Sequence, residues 1–414
     1  MLRSLLRTAI QISRRIYVRV ILYAVASVAV LGIAIALEPF IPEDLGFKIG
    51  ADAVDTILQV LASSMLAVTT FSLTIMASGL ANAAGNWTPR SHLVLREDTV
   101  VHTVLGTFVG SFLFALIGII LRAAHFFDER GTVVLFGATI LVAALVVVNM
   151  IRWIVHLEGL GSLPATLDAL EDEARATVAE AVAHPCHGGR DAADWDGDWD
   201  AAGTVLRSDC HGYLQQIFED MLQKWADQHD ARVLLQVQVG DHVLAGTVLA
   251  RVSGVSELGK ADAEHLRQAL PLRPLRSFDE DPIFAVTLLT EVAEKALSPG
   301  INDPGTAVDV VARLARVIAA DTSDCADLPE RDRLYIRPLD PERMFRAAFD
   351  PIAREAGHCV EVHRALAVAL DQLAEAGPGI LQTAARDCAR RCRERAEAAV
   401  PDGPDRDWLD RSGM

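Results

Sequence analysis

Four long apolar stretches occupy the first 156 residues, and they constrain the fold of this chain more than any other feature. They cover residues 16–37, 54–83, 100–121 and 132–156. Each reaches the ~20 residues that a helix needs to cross a bilayer. Apart from Asp55, near the start of the second stretch, they contain no aspartate, glutamate or lysine. A soluble domain can bury one such helix, so four in succession predict a four-helix transmembrane domain.

The remainder of the chain is acidic. The formal net charge is −17, and the residues after 157 carry the excess of acid. Nucleic-acid binding needs a basic surface, so we expect no nucleic-acid partner. We expect instead a water-exposed α+β domain joined to the membrane part.

The charges that flank the apolar stretches predict the topology. Five arginines precede or enter the first stretch, and no acidic residue occurs before Glu38. The positive-inside rule then places the N-terminus in the cytoplasm, and four crossings return the C-terminus to the same side. All six cysteines follow the last stretch, on the side where thiols stay reduced.

The second and third stretches carry small and polar residues at helical spacing. On the second, one ~100° arc contains Gln59, Ser63, Thr70, Thr74 and Ser78. On the third, Gly106 and Gly110 allow a close approach of helix backbones. Helix packing explains both patterns. The alternative for the second stretch is that it lines a polar path through the membrane.

Composition and turn residues divide the rest of the chain into four parts. We predict a connecting helix and acidic loop over 157–203, with the helix over 157–183, a β module over 204–253, a helical cytosolic domain over 254–400 and a tail over 401–414. Within the helical domain we expect a short strand around 334–337 and one helix over 342–376, and we expect the tail to be frayed. In the β module, the Gly240-Asp241 turn followed by Gly246 resembles half of a biotinyl- or lipoyl-type barrel-sandwich hybrid. The lysine that carries a cofactor in such domains has no counterpart here, so we expect no covalent cofactor.

A Pro- and Gly-rich turn separates two predicted helices in the helical domain. Asp281-Pro282 and Asp303-Pro304 predict helix starts, because aspartate is a favoured N-cap and proline a favoured first helical residue. We expect Gly300 to need a positive φ. The turn is either a rigid connection or a small-ligand site, and its candidate residues are Asp281, Ser298, Pro299, Gly300, Asn302 and Asp303.

Other patterns do not support metal or catalytic chemistry. The histidines and cysteines at 184–187 and 210–211 do not have the spacing of a zinc site. The acidic run 194–200 lacks the glycine that follows the third acidic residue of an EF-hand loop, and it lacks the closing glutamate. Cys388 and Cys392 lie one helical turn apart, with no further sign of a redox role. A nucleophile elbow and a phosphate-binding loop are both missing from the sequence. We therefore expect neither an enzyme, nor a metal, nor a cofactor.

The most specific motif of the chain is the block Ala296–Pro304, Ala-Leu-Ser-Pro-Gly-Ile-Asn-Asp-Pro. Six further blocks accompany it: Phe71–Thr74, Thr88–Arg90, Leu105–Phe108, Gly212–Gln215, Val239–Asp241 and Asp281-Pro282. Together these blocks resemble a family of uncharacterised bacterial integral membrane proteins, domain-of-unknown-function family 2254. His211 and Gly305 depart from the family pattern. The resemblance covers nearly the whole chain. It implies a bacterial inner-membrane protein with a cytosolic domain, and it implies no agreed activity.

Two hypotheses follow. The first is an oligomeric, channel-like conduit for ions or small solutes, lined by the second helix and gated by the cytosolic domain. Its partners are the lipid bilayer and further copies of the same chain. The second is a membrane-anchored sensor that recognises a small cytosolic ligand through the β module and the turn.

Overall fold

A computed structural model describes residues 16–37, 51–86, 88, 90, 99–127, 129–195, 204–322, 325, 328 and 330–411. The chain divides near residue 166 into an N-terminal unit and a C-terminal unit. The predicted acidic run after Trp195 and the last three residues of the tail lie outside the described residues.

The described residues of the N-terminal unit form four helices. They are α1 (Ile16–Leu37), α2 (Ala51–Asn86), α3 (Thr99–Ala123) and α4 (Glu129–Gly159). Helix α3 contacts the other three, and its Phe108 and Phe114 are fully buried in a core with Leu58 and Leu135. Among the described residues, three helices are long and apolar enough to cross a membrane, over Ala53–Ala83, Thr99–Ala123 and Gly131–Leu157. The apolar part of α1, Val20–Ala36, is shorter.

The chain turns sharply after α4, which corrects the predicted continuous helix over 157–183. Helix α4 ends at Gly159, and α5 (Leu163–Ala183) begins after a turn. Gly161 has a φ of +76°, and a Cβ there would lie 2.9 Å from the carbonyl oxygen of Gly79. The positive φ and the close backbone approach together require glycine.

The described residues of the C-terminal unit form two sheets. The strands are β1 (Gly189–Asp191), β2 (Thr204–Arg207), β3 (Gly212–Leu214), β4 (Arg232–Leu235), β5 (His242–Val243), β6 (Val248–Ser253), β7 (Leu272–Arg273) and β8 (Arg331–Ile336). The larger sheet has the order β1-β8-β4-β6-β2, and the smaller has the order β5-β3-β7. Strand β8 pairs in parallel with β1 and with β4. The remaining pairs are antiparallel.

The larger sheet extends beyond the segment 204–253 that the sequence marked as a β module. Its first strand lies in the predicted loop 184–203, and β8 overlaps the short strand predicted around 334–337, far along the chain. Trp225, Val233 and Leu334 are buried in its core. Two helices, α6 (Glu219–Gln228) and α7 (Lys260–Gln268), contribute Leu222 and Leu266 to the same core. The barrel-sandwich character of this segment stays a prediction.

Helices form the rest of the C-terminal unit. They are α8 (Pro282–Leu297), α9 (Pro304–Ile318), α10 (Pro341–Ala348), α11 (Asp350–Glu355), α12 (Val360–Ala376), α13 (Gln382–Ala399) and α14 (Pro404–Arg411). The helix starts predicted at Asp281-Pro282 and Asp303-Pro304 are confirmed, and α10 begins in the same way at Asp340-Pro341. Asp281, Asp303 and Asp340 each accept a hydrogen bond from the backbone N–H three residues later.

Two predictions for this part were wrong. The predicted helix over 342–376 is three helices, because Asp350-Pro351 starts a new one and Gly357, at φ +54°, ends it. The predicted frayed tail contains α14, whose Leu409 is 1% exposed and packs with Val360 and Val400. Burial of this leucine holds the tail against the domain.

Candidate functional site

The predicted polar arc lies on the outer surface of the N-terminal unit. All five of its residues are exposed: Gln59, Ser63, Thr70, Thr74 and Ser78. The hydroxyls of Ser63, Thr70 and Thr74 each donate to the backbone carbonyl four residues earlier. The arc is therefore not an internal packing surface of one chain.

Large apolar residues border this arc on both sides. At 100° per residue, Leu66 and Leu73 lie along one edge, and Val60 and Phe71 lie along the other. These four side chains are between 43% and 64% exposed. The opposite face of α2 is buried in the helix core through Val54, Leu58, Leu61 and Met65. Helix α2 thus presents a polar stripe between two apolar edges.

An ion pair connects one end of the stripe to the other helices. Arg122, in the last turn of α3, places its Nε 2.7 Å from Oδ1 of Asp55 in α2. Its Nη1 donates to the Thr132 hydroxyl of α4 at 3.2 Å. The motifs of the sequence did not predict this pair. The signal was present, because Asp55 is the only acidic residue within the four apolar stretches.

The other end of α2 is fixed at the turn between α4 and α5. A Cβ on Gly79 would lie 3.0 Å from Cγ of Leu160, so a larger residue there would require the Leu160 side chain to move. The Asn82 amide donates to the carbonyl oxygen of Gly161 at 3.2 Å. Both ends of α2 therefore have defined contacts within the N-terminal unit.

The predicted packing glycines of α3 lie against α1. A Cβ on Gly106 would lie 2.6 Å from the Tyr23 ring, and one on Gly110 would lie 3.1 Å from the carbonyl oxygen of Tyr23. Ser27 of α1 donates to the carbonyl oxygen of Gly110 at 2.8 Å. Small residues at these two positions let the helix backbones approach closely.

The turn between α8 and α9 is exposed and held by its own hydrogen bonds. The backbone N–H groups of Ile301 and Asn302 donate to the carbonyl oxygen of Ser298, and that of Asp303 donates to Ala296. The Ser298 hydroxyl donates to the carbonyl oxygen of Lys295 at 2.6 Å. Pro299 and Gly300 are exposed, and Ile301 is 45% exposed.

The expected positive φ at Gly300 was wrong. The left-handed residue of the turn is Asn302, at φ +52°. A Cβ on Gly300 would have no heavy atom within 4 Å. Asparagine is one of the few residues that adopt this conformation at modest cost, so the turn reverses at Asn302.

Asp281 does not join the other candidate residues of the turn. It caps the opposite end of α8, 16 residues long, which separates it from Ser298 by roughly 24 Å. Asp281 is 1% exposed and accepts two hydrogen bonds from Arg276, at 2.6 and 2.9 Å. A Cβ on Gly240, whose φ is +87°, would collide with its carboxylate. The Gly240-Asp241 and Asp281-Pro282 blocks thus meet in one place.

A small cavity adjoins this meeting point. Its volume is about 50 Å³, and charged side chains line it, including Glu280, Asp281, Arg337 and Arg343. That volume suits a few water molecules and is too small for a metabolite.

A larger apolar groove lies between α9 and α12. Its volume is about 830 Å³, and one end is formed by Trp408 of α14. The Arg364 guanidinium lies 4.4 Å from the centre of the Trp408 ring. Most of the lining is apolar, with Arg316, Glu361, Arg364 and Gln372 as its polar members. No sequence motif predicts this groove, since the groove depends on the docking of α14.

An ion network joins α5 to α9 beside this groove. Glu171 is 5% exposed; its two oxygens accept hydrogen bonds from Arg316 at 2.8 and 2.9 Å and from Arg313 at 2.8 Å. The hydrogen bond from Arg316 holds the pKa of Glu171 below its ordinary value, against the opposing effect of burial.

Comparison with known proteins gives a family and no activity. Uncharacterised proteins from two strains of Mycobacterium tuberculosis and from Mycobacterium bovis are 31% identical to this chain over 110 residues, 26% of this chain. The match spans about a fifth of the length of these relatives, 21%. No solved structure matches. The profile of the DUF2254 family, described as predicted membrane proteins, matches residues 13–372. The chain therefore belongs to the DUF2254 family of predicted membrane proteins.

Proposed function

We propose that the protein is a homo-oligomeric, channel-like membrane protein in which α2 lines a passive path for ions or small solutes. The observation that carries the proposal is the exposed polar stripe of α2 between two apolar edges. We assign gating of the path to the C-terminal unit.

The cost of exposing this stripe to lipid favours a water-filled path. The hydroxyls of Ser63, Thr70 and Thr74 already donate to their own helix backbone, so their transfer from water to hydrocarbon costs little free energy. An amide such as that of Gln59 costs roughly 4–8 kcal/mol when it leaves water for hydrocarbon without a partner. Water along the stripe removes that cost.

The shape of the stripe favours several copies. One helix face encloses no path by itself, so further copies are needed around an axis. The exposed Leu66, Leu73, Val60 and Phe71 supply the apolar contacts between adjacent copies. Closed cyclic symmetry is the usual form of such homo-oligomers.

The proposal includes α1 as a fourth span. Its 22 residues extend about 33 Å, enough to cross the hydrocarbon core, and α3 packs against it through Gly106 and Gly110. With the arginine bias before α1, four spans place both termini in the cytoplasm of a bacterium. Reporter fusions at Ile41, Arg90, Glu129 and Met414 should report outside, inside, outside and inside. An outside C-terminus contradicts the four-span topology.

Conductance through purified protein in planar bilayers tests the path itself. We expect Ser63→Leu and Thr70→Leu to lower the single-channel conductance, because each replaces a polar side chain of the stripe by a larger apolar one. Ala144→Leu is the matched control, since it adds the same side chain to an exposed position of α4. Silent bilayers from a verified oligomer, or equal conductance in all three variants, contradict the proposal.

The second candidate is a membrane-anchored sensor, and the groove between α9 and α12 is the observation that favours it. Its volume and apolar lining are typical of small-ligand sites, and Arg364 and Arg316 place positive charge beside it. The turn over Ser298–Pro304 lines neither of the two cavities described above. An apolar ligand with an anionic group fits the groove better than the turn.

A fluorescent fatty acid is a suitable probe for this second candidate. We expect saturable binding to the full chain and its loss in Ala315→Trp, which fills the groove. Ile380→Arg is the control, since Ile380 is 47% exposed and lies outside the groove lining. Absence of binding, or equal binding by both variants, contradicts a sensor of this type.

A further inference from the structure

Two buried thiols and a carboxylate meet in the helical part of the C-terminal unit. Cys388 and Cys392 lie one turn apart on α13 and are 0% and 4% exposed. Asp350, the first residue of α11, places Oδ1 3.7 Å from Sγ of Cys388. The three potential ligand atoms all lie within 4.8 Å of one another.

These distances suit a tetrahedral metal ion. With metal–sulfur bonds of about 2.3 Å and metal–oxygen bonds of about 2.0 Å, ligand atoms are separated by roughly 3.5 Å. The observed sulfur–oxygen separation of 3.7 Å is close to that value. Three protein ligands leave one tetrahedral position for water or another donor, as in open zinc sites.

The surrounding charges suit a divalent cation bound by two thiolates. Arg391 approaches the Asp350 carboxylate at 3.3 Å, and Arg346 approaches it at 3.8 Å. A divalent ion that replaces the two thiol protons leaves the total charge of the cluster unchanged. The ion therefore enters a buried place without an added net charge, which is the main cost of burying ions.

We propose that Asp350, Cys388 and Cys392 bind a thiophilic divalent metal ion, of the class of Zn²⁺ and Cd²⁺. Thiolate ligands select such ions over Mg²⁺ and Ca²⁺, which prefer oxygen. Binding forms two metal–sulfur bonds and releases two protons to solvent, with no oxidation or reduction. The ion would join α11 to α13 beside the buried Phe345 and Phe349.

A Cd²⁺ titration of the full chain in detergent, followed by the ultraviolet cadmium–thiolate charge-transfer band, tests the site. We expect one high-affinity equivalent for the wild type. Cys388→Ser and Cys392→Ser should each lower the affinity by more than the roughly 10- to 100-fold that loss of an outer-shell partner costs. Cys210→Ser, which removes an exposed thiol, should bind as the wild type does. No saturable band, or a band that Cys210→Ser removes, overturns the proposal.

A measurement on the wild type alone keeps the test valid if a serine variant fails to fold. The protein is alkylated with a maleimide under partial denaturation, with and without Zn²⁺, and the modified cysteines are identified by mass spectrometry. We expect Zn²⁺ to slow modification of Cys388 and Cys392 together and to leave Cys210 unchanged. Equal modification of the pair with and without Zn²⁺ means packed thiols only and overturns the proposal.

Discussion

Asp281 and Asp303 begin the two helices on either side of the turn, each as part of an Asp-Pro dipeptide. Their capping geometry is the same, but their burial and their side-chain partners differ. Both precede a proline, and their backbone angles agree closely, at φ −113°, ψ 88° and φ −114°, ψ 83°. Each carboxylate accepts from the backbone N–H three residues on, at 2.9 and 3.1 Å. Asp281 is 1% exposed and bonded to Arg276, whereas Asp303 is exposed.

The two environments shift the two carboxyl groups in opposite directions. Burial raises the pKa of Asp281, and Arg276 offsets only part of that effect. Hydrogen bonds from the Thr306 hydroxyl and backbone N–H lower the pKa of Asp303. The dipeptide therefore determines the helix start, and the surroundings determine the charge behaviour of the cap.

Asp281→Ala is the change with the largest expected effect. It removes a cap and leaves the mostly buried Arg276 without its carboxylate, and losing one partner of a buried pair costs about 3 kcal/mol. We expect a clear fall in the melting temperature of the full chain. Asp281→Asn, which keeps a capping oxygen, is the control and should cost less. A melting temperature for Asp281→Ala equal to that of the wild type contradicts the claim that the buried Asp281 cap contributes more to stability than the exposed Asp303 cap.

Asp303→Ala should have a smaller effect. The exposed cap is worth about 1 kcal/mol, because water can solvate the helix end that the side chain leaves. We expect a melting temperature between those of Asp281→Ala and the wild type. If Asp303→Ala is as damaging as Asp281→Ala, burial is not what separates the two caps. Loss of ligand binding or conductance in a stable Asp303→Ala protein would instead indicate that the turn is a site.

The turn itself gives two opposite, smaller effects. Asn302→Ala should destabilise by about 1 kcal/mol, because alanine tolerates the φ of +52° less well than asparagine. Gly300→Ala should stabilise by about 0.5 kcal/mol, because a Cβ fits there and alanine lowers the entropy of the unfolded chain. Melting temperatures of both variants measure this. A destabilised Gly300→Ala would restore the sequence-based expectation for that glycine.

The smallest expected difference between Asp281 and Asp303 is the sign with which the stability contribution of each carboxyl group changes with pH. A lowered pKa means that Asp303 contributes stability above the unfolded pKa of about 4, and this contribution is lost as pH falls through the folded pKa. A raised pKa means that the contribution of Asp281 is complete below about pH 4 and is lost as pH rises through its folded pKa. With falling pH, Asp303→Asn should therefore approach the wild type in melting temperature. With rising pH, the melting temperature of Asp281→Asn should increase relative to that of the wild type. The same slope for both variants contradicts the assignment.

Local sequence patterns predicted the helices well. The apolar stretches, Asp281-Pro282 and Asp303-Pro304 each act over a few neighbouring residues, so they are readable without the fold. The sequence did not predict β1 or the pairing of β8. Strands from distant segments pair through backbone N–H and C=O groups, which are alike in nearly all residue types, so the sequence does not identify the partner strand. It also misjudged α14, since the burial of Leu409 depends on α12 and α13 being in place.

The candidate sites divide in the same way. The sequence placed Gln59, Ser63, Thr70, Thr74 and Ser78 on one helix face, and Gly106 and Gly110 on another. The sequence could not show whether another helix packs on either face. The helical period determines which residues share a face, but it does not determine which part of the chain lies against that face. The tertiary structure buries the glycines against Tyr23 and Ser27 and leaves the polar stripe exposed.

The sequence by itself determined that this is a chain with long apolar helices, Asp-Pro helix starts and an acidic remainder, because periodicity, capping and charge are local properties. The tertiary structure alone decided that Asp281 is buried and Asp303 exposed, that Asn302 and not Gly300 takes the left-handed conformation, and that Asp350 reaches Cys388. Each of these depends on side chains brought together from segments far apart in the chain, or on the path the backbone takes between packed helices. The sequence of a single segment therefore does not determine the free energy of these contacts.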